Sequence, residues 1–280
     1  MRVALAQTCP VLGDIDANLA SARDTVAAAA AAGADVTVFS ELAVTGYSVG
    51  QVADDLDLRP ADPRLLAVGA AAGRGGVLIG FQEGDGGLHS YNSAAYYEAG
   101  ELLHVHRKLY LPTYGPFEER KHFSPGQALG AYSTGWGRAA TLVCNDAWQP
   151  QLAFLAVQDG ARVLFMPTSS AQSLSPQHYS SEDYWTNITR FYARMYQCFI
   201  VFVNRVGTEG SLAFWGGSHV MDPWGERVAD AVHDAEALTL VELDLEDVRR
   251  RRRQVPLVRE ARLALLEREI RRLAREGGDL

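Results

Sequence analysis

The sequence predicts an α/β fold built on a mixed sheet, and three observations carry that reading. Apolar strand-like stretches alternate with helix-favouring ones through the first third of the chain, and the same rhythm returns in the second half. A turn-rich segment at 83–87 joins two strand-like runs as a hairpin, which makes the sheet mixed rather than purely parallel. At roughly 150 residues per domain, 280 residues allow about two domains. No low-complexity linker and no internal repeat divide residues 1–248, however, so these read as one compact domain.

The elements follow in order. Residues 2–6 form a short apolar strand. A helix spans 16–32, with Asp14 or Asp16 available to cap its free N–H groups and Gly33 to close it in a left-handed conformation. Residues 35–39 return as a buried strand, 76–81 as a third, 90–97 as the hairpin partner and 101–108 as another strand. In the second half 138–144, 163–166 and 199–204 are strands, while 149–159 and 184–196 are helices. Residues 211–221 and 237–243 add extended chain.

The tail differs in chemistry. Residues 249–280 hold 11 Arg and 5 acidic residues, a local +6 that leaves −14 for the rest. Val258, Ala261, Leu265, Leu266, Ile270 and Leu273 recur at three- and four-residue spacing, so the segment reads as an Arg-rich amphipathic helix. Acidic residues interrupt its positive face. It is therefore expected to dock on the acidic body or on a partner subunit rather than on nucleic acid.

Composition excludes several classes. The chain is 48% hydrophobic and 21% charged, enough apolar mass for a sizeable core. A net charge of −8 argues against a nucleic-acid binder. No apolar run approaches the roughly 18 residues of a membrane span, and residues 3–6 are too few for a signal-peptide core, so no membrane partner is expected. Three cysteines, Cys9, Cys144 and Cys198, do not make a disulfide framework, and a reducing cytoplasm is the expected compartment.

Three residues stand where chemistry is possible. Cys144 ends an apolar strand just before a helical segment, where N–H groups and the helix dipole favour a thiolate; an inert core cysteine is the competing reading. Glu41 ends the apolar run 36–39, at the strand end where open α/β sheets bind ligands. Lys108 ends a strand as well, where a lone lysine is ordinarily a surface residue. His104 and His106 share one strand face, but no third ligand follows at metal-binding spacing.

Taken in order, Glu41, Lys108 and Cys144 resemble the Glu-Lys-Cys triad of the nitrilase superfamily of carbon–nitrogen hydrolases. The strings around them resemble that family's motifs: Phe39-Ser40-Glu41-Leu42 with Thr45-Gly46-Tyr47; His106-Arg107-Lys108-Leu109 through Phe123-Ser124-Pro125-Gly126; and Leu142-Val143-Cys144-Asn145-Asp146 followed by Pro167-Thr168-Ser169-Ser170. Tyr91-Asn92-Ser93 and Asp222-Pro223-Trp224-Gly225 fit its strand and turn segments. The resemblance covers residues 1–245. It implies a four-layer α-β-β-α sandwich, a homodimer or higher homo-oligomer, and no cofactor or metal. It also implies a further carboxylate, Glu119 by its distance from Phe123, with Glu118 as the adjacent alternative. Two departures, Asn145 after the cysteine and Gln151 after Pro150, bear on substrate rather than on the triad.

The resemblance implies a thiol-dependent hydrolase of a small linear amide or N-carbamoyl compound, working through a Cys144 thioester. Asn145, Tyr114, Trp148 and Ser170 are the expected oxyanion and substrate contacts, beside a polar, Ser-rich rim at 172–184. The alternatives are a glutamine or ω-amide hydrolase, a nitrilase, and a catalytically silent scaffold of the same fold.

Overall fold

The computed structural model describes residues 1–115, 117–173 and 179–277, so residues 174–178 of the expected rim lie outside the described residues. The first half runs β1 (Arg2–Gln7), α1 (Ile15–Ala31), β2 (Val36–Phe39), α2 (Pro63–Ala70), β3 (Gly76–Gly84), β4 (Ser90–Glu98) and β5 (Glu101–Arg107). The second runs β6 (Tyr132–Thr134), β7 (Gly137–Thr141), α3 (Pro150–Gln158), β8 (Val163–Thr168), α4 (Ser181–Tyr196) and β9 (Phe199–Asn204). It continues through β10 (Val206–Glu209), β11 (Leu212–Trp215), β12 (His219–Met221), β13 (Arg227–Asp230), β14 (Ala237–Glu242), α5 (Glu246–Gln254) and α6 (Leu263–Arg275).

Two six-stranded mixed sheets result, ordered β14-β1-β2-β3-β4-β5 and β13-β12-β9-β8-β7-β6, with β10-β11 as a separate ribbon. Taken from β14 and from β6, both follow one pairing pattern: antiparallel, parallel, parallel, antiparallel, antiparallel. The architecture therefore repeats although the residues do not.

Side-chain alternation assembles the layers. Val3, Leu5, Val36, Val38 and Leu78 of one sheet meet Val163, Phe165, Phe199 and Val201 of the other in a central core. Opposite faces of the same strands bury Val77 and Ile79 under Leu19, Val26 and Leu65 of α1 and α2, and Leu164 and Met166 under Leu152, Val157, Trp185 and Tyr192 of α3 and α4. This is the expected four-layer α-β-β-α sandwich. Strands buried on both faces, such as β8 and β9, read as continuous apolar runs for that reason.

Local signals held where the physics is local. Asp14, not Asp16, caps α1 by accepting from the Ala17 N–H, and Gly33 follows the helix at φ +82°. Ser180 caps α4 one turn earlier than expected, accepting from the Asp183 N–H. The extended segment at 211–221 is interrupted by Gly216 and Gly217, both at positive φ, which separates β11 from β12.

The tail departs from the expected single helix. Pro256 splits it: Val255 before it is extended (φ −138°, ψ 103°), as the ring demands, and α5 ends there. Three of the five arginines at 249–253 also have partners. Arg249 pairs with Glu246, Arg250 with Asp244 and Asp247, and Arg252 donates to the Ala161 carbonyl. In α6 no residue is buried, and Leu263, Leu266, Ile270 and Leu273 are exposed. Among the described residues no helix is long and apolar enough to cross a membrane.

One close approach is critical to the β2–β3 region. A Cβ on Gly80 would stand 2.5 Å from the Leu42 nitrogen and 2.7 Å from the Ser40 carbonyl oxygen, both backbone atoms with no freedom to swing away. Gly80→Ala should therefore cost about 1–3 kcal/mol in urea unfolding, the usual penalty for overpacking. An unchanged midpoint would show that the turn after β2 yields freely.

Candidate active site

Three loops at the ends of strands converge here, and each is held by backbone geometry. Glu41 stands two residues past β2, and Leu42 beside it takes φ +49°, a left-handed conformation that costs a leucine energy. Lys108 directly follows β5; its N–H donates to the Asn92 carbonyl (2.8 Å) and its carbonyl accepts from the Gly126 N–H (2.8 Å). Cys144 opens a short 3-10 turn, Cys144–Trp148, at φ +45°.

Asp146 joins two of these loops. One carboxylate oxygen accepts the Leu109 and Tyr110 N–H groups (2.9 Å each) just after Lys108. The other meets His106 Nε2 at 2.8 Å and accepts the Val143 N–H just before Cys144. His106 is thus a structural partner of Asp146, while His104 stacks on Tyr132 (4.3 Å, 18°). Among the described residues no group of three or more His, Cys, Asp or Glu is placed to hold a metal ion.

The charge centre is the Lys108 ammonium, fully buried, 2.6 Å from Glu41 Oε1 and 2.7 Å from Glu119 Oε1. Tyr47 donates its hydroxyl to Glu119 Oε1 (2.6 Å), and Asn92 Nδ2 donates to Glu41 Oε1 (2.8 Å). Ser169 Oγ donates to the Glu41 carbonyl (2.9 Å). Glu41 Oε2 and Glu119 Oε2 are buried with no hydrogen-bond partner among the described residues. Of the two adjacent glutamates, Glu119 occupies the site. Glu118 is exposed and pairs with Lys121.

Electrostatics follow from that packing. Burial works against the Lys108 ammonium, but Glu119, Glu41 and Cys144 outweigh it and hold its pKa well above the ordinary value. Burial, opposed by Lys108 and reinforced by Glu41, pushes Glu119 up to about 7. The Cys144 thiol is driven well up by burial and Glu41, with Lys108 and a Ser169 N–H bond acting the other way. The thiolate expected from a neighbouring helix start is thus corrected: the turn is only five residues long, and two carboxylates reach the thiol through space.

Above Cys144 opens a cavity of about 280 Å³. Tyr114, Asn145, Trp148 and Ser170, the expected substrate contacts, all line it, while Glu41, Lys108 and Glu119 lie beneath. Tyr114 donates to Asn145 Oδ1 (3.2 Å), Asn145 Nδ2 to the Tyr110 carbonyl (3.1 Å), and Ser170 Oγ accepts from Trp215 Nε1 (3.3 Å). In the sequence Tyr47, Asn92, Asp146 and Ser169 stand out only as members of the motif strings. Nothing local marks a tyrosine or an asparagine as the partner of a carboxylate that is distant in sequence.

Comparison with known proteins shows the family. The family model for carbon–nitrogen hydrolases matches residues 2–253. A glutamine-dependent NAD(+) synthetase of Thermotoga maritima is 33% identical over 250 residues, covering 88% of this chain but only 42% of that protein, so the chain spans less than half of the synthetase. An N-carbamoylputrescine amidase of Arabidopsis thaliana is 29% identical over 265 residues, covering 89% of this chain and 88% of that one. Among solved structures, a Glu-to-Gln mutant of an amidase from Nesterenkonia sp., with the acetamide moiety of fluoroacetamide added covalently at its active-site cysteine, superposes with a TM-score of 0.79 at 25% identity and 96% coverage of each chain. With its sandwich fold and with nearly its whole length matched, this chain belongs to the carbon–nitrogen hydrolase family.

Proposed function

We propose that the protein is a thiol-dependent amidase that cleaves the C–N bond of a small linear amide or N-carbamoyl compound. The observation that carries this reading is the buried Lys108 between two carboxylates, in electrostatic reach of a cysteine that lines the cavity. Covalent addition at the cysteine of the Nesterenkonia amidase supports the thiol role.

In this mechanism Glu41 takes the Cys144 proton on its unpartnered Oε2 as sulfur attacks the amide carbon. Lys108 Nζ and the Asn145 N–H oppose the charge that develops on oxygen. The tetrahedral intermediate collapses, the C–N bond breaks, and the nitrogen leaves as ammonia or amine with the proton held by Glu41. Water then attacks the thioester and gives a proton to Glu41, and the acid departs as the thiol is restored. Glu119 holds Lys108 throughout by a charge-assisted hydrogen bond. Similarity to the synthetases favours glutamine as a second reading for the substrate.

Cys144→Ala should abolish ammonia release from a panel of amides while leaving unfolding unchanged. Lys108→Met should lower kcat by about 10²-fold or more, and Glu41→Gln should form no thioester detectable by intact mass. Wild-type turnover in Cys144→Ala, or a normal acyl-enzyme in Glu41→Gln, would remove those assignments.

The raised thiol also sets a pH dependence. A thiol held above its ordinary pKa is mostly protonated at neutral pH, so alkylation of Cys144 by iodoacetamide should be slow at pH 7 and climb steadily to pH 9. A rate already at its plateau at pH 7 would place a stable thiolate there instead.

The exposed stripe of α6 is the natural contact for a second copy, since a face of four large apolar side chains on an acidic protein gains by being covered. Truncation after Pro256 should shift the mass seen by light scattering from dimer toward monomer. A truncated chain that remains a dimer would assign α6 another role.

A further inference from the structure

The chemistry of the cavity narrows the substrate, on the amidase reading above. Among the described residues that line it, none carries a formal charge: the walls are largely aromatic, and the polar groups are hydroxyls, carboxamides and the Cys144 thiol. Two charged groups close to lining residues already have partners. Lys108 is taken by Glu41 and Glu119; Glu209 is taken by Arg205 and by the Tyr47 and Ser48 N–H groups. Burial pushes the Tyr114 phenol up to about 12 and the Tyr179 phenol higher, so both stay neutral near pH 7.

A substrate carrying a carboxylate or an ammonium at its acyl end would bring that charge into this lining with no ion among the described lining residues to pair it. An unpaired charge taken from water is among the costliest groups to bury. A carboxylate would also sit above a floor whose carboxylates outnumber its ammonium. The walls instead offer flat apolar surface held in place. The Trp148 ring stacks on Tyr184 (centroids 5.6 Å, planes 7° apart) and meets the buried Trp185 edge-on (5.9 Å, 88°), with Tyr179 at 6.3 Å. The cavity, at about 280 Å³, is just below the range of roughly 300–1,000 Å³ typical of sites for drug-sized ligands, so the acyl group it takes is small.

We propose that the cavity selects small uncharged amides with an apolar, flat acyl end seated against Trp148 and Tyr179, and discriminates against amides whose acyl end bears a carboxylate or an ammonium. Glutamine, which bears both, is then a poor substrate despite the similarity to the synthetases.

Binding and turnover test this separately. Calorimetry on the full-length Cys144→Ala variant should show phenylacetamide binding at least about 10²-fold more tightly than succinamate, γ-aminobutyramide or glutamine. Ammonia release by the wild type should follow the same order in kcat/KM. Trp148→Ala should weaken phenylacetamide about tenfold more than acetamide, since only the ring loses its wall. Tighter binding of any charged amide, no binding of phenylacetamide, or an equal loss for both neutral amides in Trp148→Ala overturns the proposal. If the uncharged amides bind as expected but none releases ammonia, the selectivity stands and the hydrolase reading falls.

Discussion

A lysine ammonium sealed from water between two carboxylates governs the chemistry around it. Ion pairs of this kind are expensive to bury and survive only with good geometry and further hydrogen bonds, here from Tyr47 to Glu119 and from Asn92 to Glu41. Two carboxylates share one ammonium. Burial and the carboxylates act together on two neighbouring acids: the Cys144 thiol and the Tyr47 phenol are both pushed up. Losing the thiol proton to solvent would add negative charge to a buried site, whereas the transfer to Glu41 proposed above would leave the total unchanged. The raised thiol is therefore consistent with a protonated resting cysteine rather than a standing thiolate.

The scaffold delivers these groups through its repeated topology. In the shared pairing pattern β2 corresponds to β8; Glu41 lies two residues past the first and Ser169 directly past the second. The two are joined by the Ser169 hydroxyl on the Glu41 carbonyl. Left-handed backbone at Leu42 and at Cys144 aims the turns, and Gly80 makes room for one of them. Strain is tolerated because dense packing on both sheet faces over-determines the surrounding backbone.

How much of this was legible in the sequence depends on the range of the interaction. Strands buried on both faces announce themselves as apolar runs, and the caps of α1 act within four residues, so both could be read directly. The short helix α2 went unread because eight residues give too little periodicity, and the tail was read as one helix because the spacing of its leucines outweighed a single proline. That Glu41, Lys108 and Cys144 belong to neighbouring strand ends was legible through their strings, and the fold brings the three together. The choice between Glu118 and Glu119 was open because adjacent residues point in different directions, which only the fold decides. The direction of the thiol shift was illegible, since its main causes after burial lie far away in sequence, at Glu41, Lys108 and Glu119.

Asp146 shows how a residue outside the charge cluster fixes its geometry. Because its carboxylate accepts backbone N–H groups from both the Lys108 loop and the Cys144 loop, the two cannot drift apart without leaving a buried charge with unmet hydrogen bonds. His106, one strand residue before Arg107, completes the shell from the other side. The positioning device is thus woven from main chain rather than from the reacting side chains. Aromatic and polar residues of the cavity wall can then differ without disturbing the spacing of the Lys108 and Cys144 loops. The cavity lining and the loop positions are held by different atoms in this fold, so membership of the family alone does not identify a substrate.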